Sequence, residues 1–213
     1  MEKIIQLHLN FYESIKMNPE IMEILSKEKI TIMDGFKKNI DLVHRYYQTF
    51  YKIHGKWVVL CGINPGRNGA GKTGIPFIDY KGASHLLSDV NQDDREQSAQ
   101  FILSIIDKIG INTFYKNVYM TNISWFGFIK DGNNLNYYDL PSPLSTTFTE
   151  SFITEMDIVP LSKEVEKTLK KMIKEGRLSY PIASRLQHPY YCSIGKRAIK
   201  YKEIYIKKVT SFY

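Results

Sequence analysis

Apolar residues recur along this chain with two different periods. Between residues 39 and 51, Leu42, Val43, Tyr46, Tyr47, Phe50 and Tyr51 fall three and four apart, and Asn39 stands where a cap is needed. That spacing predicts a helix with one buried face. A second helix is predicted over 96–109, where Ile102, Ile105, Ile106 and Ile109 share a face and Gly110 supplies the stop. A third runs from the Ser162 cap to Glu175, with Glu164 and Glu166 in its first turn and Lys170, Lys171 and Lys174 in its last. The helix dipole favours that order of charges. A basic helix over about 195–209 closes the chain, and Pro19 and Glu20 open a short one near its start. Short apolar runs at 57–61, 117–124, 157–161 and 182–186 read instead as strands. The segment 125–147, rich in Asn, Gly, Pro and Ser, reads as a loop with a surface turn at Ser142-Pro143. This alternation predicts an α/β fold: a single domain over 1–213, with three α/β/α layers around a central, mostly parallel four-stranded sheet. Residues 1–55 form its helical N-terminal part, packed on the sheet.

Composition narrows the class. The chain has 213 residues, 43% of them hydrophobic, enough for one domain with its own core. Its two cysteines, Cys61 and Cys192, are too few for a four-cysteine cluster or a disulfide framework and read as reduced thiols. No apolar run is long enough to span a membrane, and the N-terminus mixes charged and apolar positions. The expectation is a cytoplasmic protein, in a bacterial cytosol or, in a eukaryote, the nucleus, with no membrane partner. The net charge of +7 is uneven: residues 1–160 hold 16 basic and 18 acidic side chains, while 161–213 hold 13 basic and 4 acidic. A basic end of that kind suits a polyanion. The aromatic stripe of 42–51 reads as core rather than a stacking platform, and His8, His44, His54 and His85 read as structural.

The chemistry concentrates at 57–80. A strand at 57–61 breaks into a loop carrying Gly62, Pro65, Gly66, Gly69, Gly71, Gly74 and Pro76. Glycine there lets backbone approach a ligand closely, at the strand end where α/β proteins build their sites. Residues 66–73 match G-x-x-x-x-G-K-[ST], so one reading is a nucleotide-binding P-loop with Lys72 on the outer phosphates and Thr73 on magnesium. That reading needs a helix beginning at Gly71-Lys72-Thr73. Gly74-Ile75-Pro76 argues for an extended exit instead, and the later strands end at Asn122 and Ser162 rather than at Asp.

The neighbouring residues support a second reading. Gly62-Ile63-Asn64-Pro65-Gly66 followed by Thr73-Gly74-Ile75-Pro76-Phe77, then Asn122 ending a strand, Asn136-Tyr137-Tyr138-Asp139, and His188-Pro189 occur in that order. Together they resemble the motifs of the uracil-DNA glycosylase superfamily, in a bacterial offshoot of its single-strand-selective monofunctional branch. The resemblance spans residues 62–189. It implies a monofunctional DNA glycosylase of base excision repair, hydrolysing the N-glycosidic bond of uracil or a related base such as hydroxymethyluracil or xanthine and leaving an abasic site. Its partner is single- or double-stranded DNA, it acts as a monomer, and it uses no cofactor or metal.

The same resemblance assigns roles. Asn64 orients the attacking water, and His188 donates to the O2 of the leaving base together with the Ile63 amide. Phe77 is the stacking floor, and Asn122 pairs with O4 and N3–H of uracil. Pro65 and Gly66 meet the DNA backbone. Tyr190, Tyr191 and Ser193 lie in the wedge segment, with Lys196 and Arg197 on phosphate. An amide is no general base, so leaving-group stabilisation carries the reaction. A P-loop NTPase and a non-catalytic nucleic-acid binder are the competing expectations.

Overall fold

In a computed structural model of the chain, residues 2–52, 57–150 and 157–213 are described. His54 and the end of the 1–55 part lie outside them. The strands are β1 (Ile30–Ile32), β2 (Val58–Gly62), β3 (Val118–Asn122), β4 (Phe128–Lys130), β5 (Asn133–Leu135) and β6 (Ile158–Pro160). Among the described residues they form two sheets of three strands. One is parallel, in the order β3-β2-β6; the other is antiparallel, in the order β1-β4-β5.

The parallel sheet is the frame of the molecule. β2 is buried along its whole length and pairs with β3 in the register Val58↔Val118 to Gly62↔Asn122. Its alternating side chains serve two cores, as strand geometry requires. Val58 and Leu60 face a cluster with Tyr46, Tyr47, Ile102 and Phe114, whereas Val59 and Cys61 face one with Tyr12, Ile15, Phe128 and Leu169. Helices Ile40–Phe50 and Gln97–Ile109 contribute to the first cluster, and Glu2–Met17 and Lys163–Lys174 to the second. The aromatic stripe is core: Tyr46, Tyr47 and Tyr51 are buried, and the Tyr46 hydroxyl donates to that of Tyr115 at 2.8 Å. The histidines take structural positions too. His8 stacks between Phe36 and Trp125, His44 meets Glu2 and His85 meets Asp107.

The four-stranded sheet expected from the sequence is a three-stranded one. Residues 182–186 run beside β6, but only Ile182 makes a bridge, to Ile158, before the segment leaves after the Leu186 amide bonds to the Pro160 carbonyl. The region read as a loop at 125–147 instead contains the β4–β5 hairpin, a 3-10 turn at Tyr137–Asp139 and the helix Leu144–Glu150. Asp131 and Gly132 turn the hairpin with φ of 49° and 74°, the two positive values that a tight primed turn demands. β1 joins this hairpin from the N-terminal part, which is therefore not wholly helical. No helix among the described residues is long and apolar enough to cross a membrane.

Candidate active site

The glycine loop leaves the end of β2 and folds back on itself. The Gly71 amide bonds to the Gly66 carbonyl at 2.8 Å, and the Lys72 and Thr73 amides bond to that of Gly69 at 2.8 and 3.1 Å. Helix Ala70–Thr73 lasts one turn before Gly74, at φ 78°, stops it. Thr73 is buried; its hydroxyl donates to the Ile78 carbonyl at 2.6 Å and accepts from the Ile75 amide at 3.2 Å, while Lys72 pairs with Asp94 at 3.1 Å. The amides, lysine and hydroxyl that a P-loop would aim at phosphate and magnesium are thus committed within the protein. The P-loop reading fails because the helix it needs stops after a single turn, at Gly74.

What the loop does build is a wall. A pocket of about 290 Å³ opens at the carboxyl end of the parallel sheet, lined by residues of the loop, of β3, of the hairpin and of the segment at 188–190. Its volume lies near the lower end of the usual small-molecule range of about 300–1,000 Å³. Phe77 and Asn122 meet inside it across Gly62, where a β-carbon would overlap both the phenyl ring and the amide oxygen. Glycine is required there by that approach. Phe77 takes a φ of 60°, uncommon for a bulky residue, in the turn that Thr73 pins.

Asn122 is the most telling group. It is only 4% exposed, yet its side-chain amide hydrogen-bonds to no described residue. A buried amide without a partner costs about 1–3 kcal/mol, which structural asparagines avoid. The Ile63 amide, one residue beyond β2, also has no acceptor among the described residues.

His188 caps the short helix Pro189–Ser193. Its Nδ1 lies 3.2 Å from the Tyr190 amide and accepts from it. In the neutral ring the proton therefore sits on Nε2, which is left as a donor. Burial lowers the pKa of this imidazole to about 4, so the ring is neutral at physiological pH.

Asn64 faces the same pocket, but its amide is also a latch to the hairpin. Oδ1 accepts from the Tyr137 amide at 3.0 Å, and Nδ2 donates to the carbonyls of Leu135 and Pro65 at 3.3 Å each. The remaining lone pair on Oδ1 is what it has for a water.

Of the residues singled out from the sequence, Ile63, Asn64, Pro65, Gly66, Phe77, Asn122, His188 and Tyr190 line this one pocket. Tyr191, Ser193, Lys196 and Arg197 do not. Tyr191 turns away to Tyr201 and under the Arg197 guanidinium, 4.1 Å from its ring, whereas Tyr190 stands 54% exposed at the rim. The Ser193 hydroxyl bonds to the Tyr190 carbonyl at 2.7 Å, and Lys196 is exposed beside the start of helix Arg197–Thr210. Sequence reasoning gave no place in the site to Ala70, Glu96, Ser98 and Asn134, and named Asn136 only as part of a motif. The Asp131-Gly132 pair was the one local sign of the hairpin that carries Asn134 and leads into Asn136, and the loop reading passed it over; nothing local marked Glu96 or Ser98.

No protein-family model and no curated protein matches the chain. Among solved structures, the crystal structure of wild-type SMUG2 from Pedobacter heparinus is similar with a TM-score of 0.72 and 27% identity, covering 86% of this chain and 88% of that one. Motifs and fold agree: the chain resembles the uracil-DNA glycosylase superfamily, in its single-strand-selective monofunctional uracil-DNA glycosylase-like branch.

Proposed function

We propose that this protein is a monofunctional DNA glycosylase that excises uracil or a closely related base and leaves an abasic site. The observation that carries this reading is the buried Asn122 amide, unpartnered among the described residues, beside the Phe77 ring in a pocket with room for a nucleobase. A base in a duplex is out of reach of such a pocket, so the target is flipped out or already single-stranded. Stacked on Phe77, uracil offers O4 to the amide nitrogen of Asn122 and N3–H to its oxygen. Cytosine presents the reverse pattern and would leave both groups unpaired, a penalty that hydrogen-bonding sites use to discriminate.

Cleavage of the glycosidic bond sends its electron pair into the base, and negative charge gathers on O2. The Nε2–H of His188 and the open Ile63 amide are the donors for that oxygen, acting as a preorganised electrostatic site. Water, held through the free lone pair of Asn64 Oδ1, attacks C1′ from the other side of the sugar. No lysine lines the pocket among the described residues, and Lys72 is paired with Asp94. That supports hydrolysis without a Schiff base and without strand cutting. The Tyr190 ring at the rim is the side chain placed to enter the gap left by a flipped base.

The test is incubation of the wild-type protein with single- and double-stranded oligonucleotides bearing uracil, hydroxymethyluracil or xanthine, followed by alkali. Strand breaks after alkali, and none before, support the reading. A non-catalytic DNA binder would give salt-sensitive affinity with no breaks on any substrate.

A further inference from the structure

Glu96 is the ionisable carboxyl group on the wall of this pocket, and neither the motifs nor the roles above use it. It stands at the N-cap of helix Gln97–Ile109, but its side chain makes no capping bond. It turns instead to the glycine loop. β-carbons built at Gly66 or Gly69 would overlap its carboxylate oxygens, so the loop is bare where the carboxylate lies.

Its backbone is held firmly. The buried Asp79 carboxylate accepts from the Glu96 amide at 2.6 Å and from Gln100 Nε2 at 2.9 and 3.0 Å. Helix Pro189–Ser193, which His188 caps, packs on helix Gln97–Ile109. Glu96, His188 and Asn64 therefore share one cavity with the unpartnered Asn122 amide.

Resting on the glycosylase reading, we infer that Glu96 is a further catalytic residue, whose carboxylate accepts a proton from the attacking water. The Asn64 amide cannot accept a proton, and the neutral His188 ring spends its Nδ1 lone pair on the Tyr190 amide. In the step, a water oxygen bonds to C1′ as the C1′–N1 bond breaks with its electron pair on the base. One water proton passes to Glu96, and the departing base anion takes that proton back directly or through solvent. The products are the free base and the 1′-hydroxyl of the abasic sugar.

The groups that face this carboxyl are Asp79 behind it, the Ser98 hydroxyl that bonds it, and His188 and Tyr190 across the cavity. Burial, then the Asp79 charge, raises its pKa above the ordinary carboxyl value, against the opposing Ser98 bond. The nearby cations are engaged elsewhere: Lys72 with Asp94, Lys81 and Arg95 with Asp93, and Arg67 with the Gly132 carbonyl.

The experiment is single-turnover uracil release from pH 4.5 to 8 by wild type and Glu96→Gln, with melting temperature and affinity for the product abasic DNA measured alongside. The wild-type rate rises with pH along an acidic limb. Glu96→Gln is slowed about 10²-fold or more, as loss of a general base predicts, and lacks that limb, while its melting temperature and product affinity hold. A Glu96→Gln rate within about threefold of wild type, or an unchanged acidic limb, overturns the assignment. Slowing that is matched by lost DNA affinity overturns it as well. A wild type inactive on the whole panel overturns the glycosylase reading and this role with it, an outcome distinct from an active Glu96→Gln.

Discussion

Replacing Asn122 by Leu separates a ligand-reading amide from a structural one. The residue ends a fully paired strand, is 4% exposed and has no hydrogen-bond partner for its amide among the described residues. In a structural role its removal would break bonds and cost stability, typically about 1–3 kcal/mol for a buried polar partner left unpaired. Here there are no protein bonds to break among the described residues. Leu is of similar length, and its methyl groups meet the Phe77 ring across Gly62. The expected change is therefore between zero and a gain of about 3 kcal/mol, the desolvation cost relieved. For a chain of this size each kcal/mol moves the melting temperature by about 2–4 °C, so thermal denaturation resolves the sign. Uracil release by the same variant should fall by about 10²-fold or more, since the pattern that a site built to hydrogen-bond its substrate reads is gone. A variant that loses more than about 1 kcal/mol yet keeps its activity would show that Asn122 serves the fold and not the base.

Other expectations follow from neighbouring contacts. Tyr190→Ala should slow release from duplex more than from single-stranded substrate. Tyr191→Ala should affect both alike and cost about 0.5–1 kcal/mol, measured by denaturant titration, through the lost Arg197 stack. Lys72→Ala should retain base release, and neither form should bind ATP by titration calorimetry; nucleotide binding lost in the variant would restore the P-loop reading. Burial holds the His8 pKa near 4 against 6.5 in the unfolded chain. The stability this neutral ring contributes is complete above pH 6.5 and is lost as pH falls from 6.5 towards 4. At pH 5 the loss is about 2 kcal/mol. His8→Phe keeps a ring between Phe36 and Trp125, and should remove that part of the acid sensitivity in denaturation at pH 7 and 5.

The parallel strands and the principal helices were legible because their periodicities are strong and their caps are present: Ser162 accepts from the Val165 amide as its position suggests. The fourth strand was not, since an apolar run does not reveal that pairing stops after one bridge. The hairpin was obscured by its composition: Asn133 and Asn134 are poor strand formers, and their pairing with Ile129 and Lys130 comes from the turn. At the site, residues tied to strand ends, Ile63, Asn64 and Asn122, line one pocket. Tyr191 and Arg197 do not line it, and no local pattern marked that, because their cation–aromatic contact between a turn and a helix start is tertiary. Glu96 was invisible for a similar reason. Its place in the pocket depends on Asp79, 17 residues earlier, holding its amide.

The most direct measurement is the amount of free uracil formed in a single turnover by wild type and by His188→Ala, on one single-stranded oligonucleotide with one deoxyuridine. If a neutral imidazole with its proton on Nε2 stabilises the departing base, wild type releases uracil in proportion to enzyme, and the variant is slower by about 10²-fold or more. Equal rates from the two proteins, or no uracil from wild type, would contradict the account.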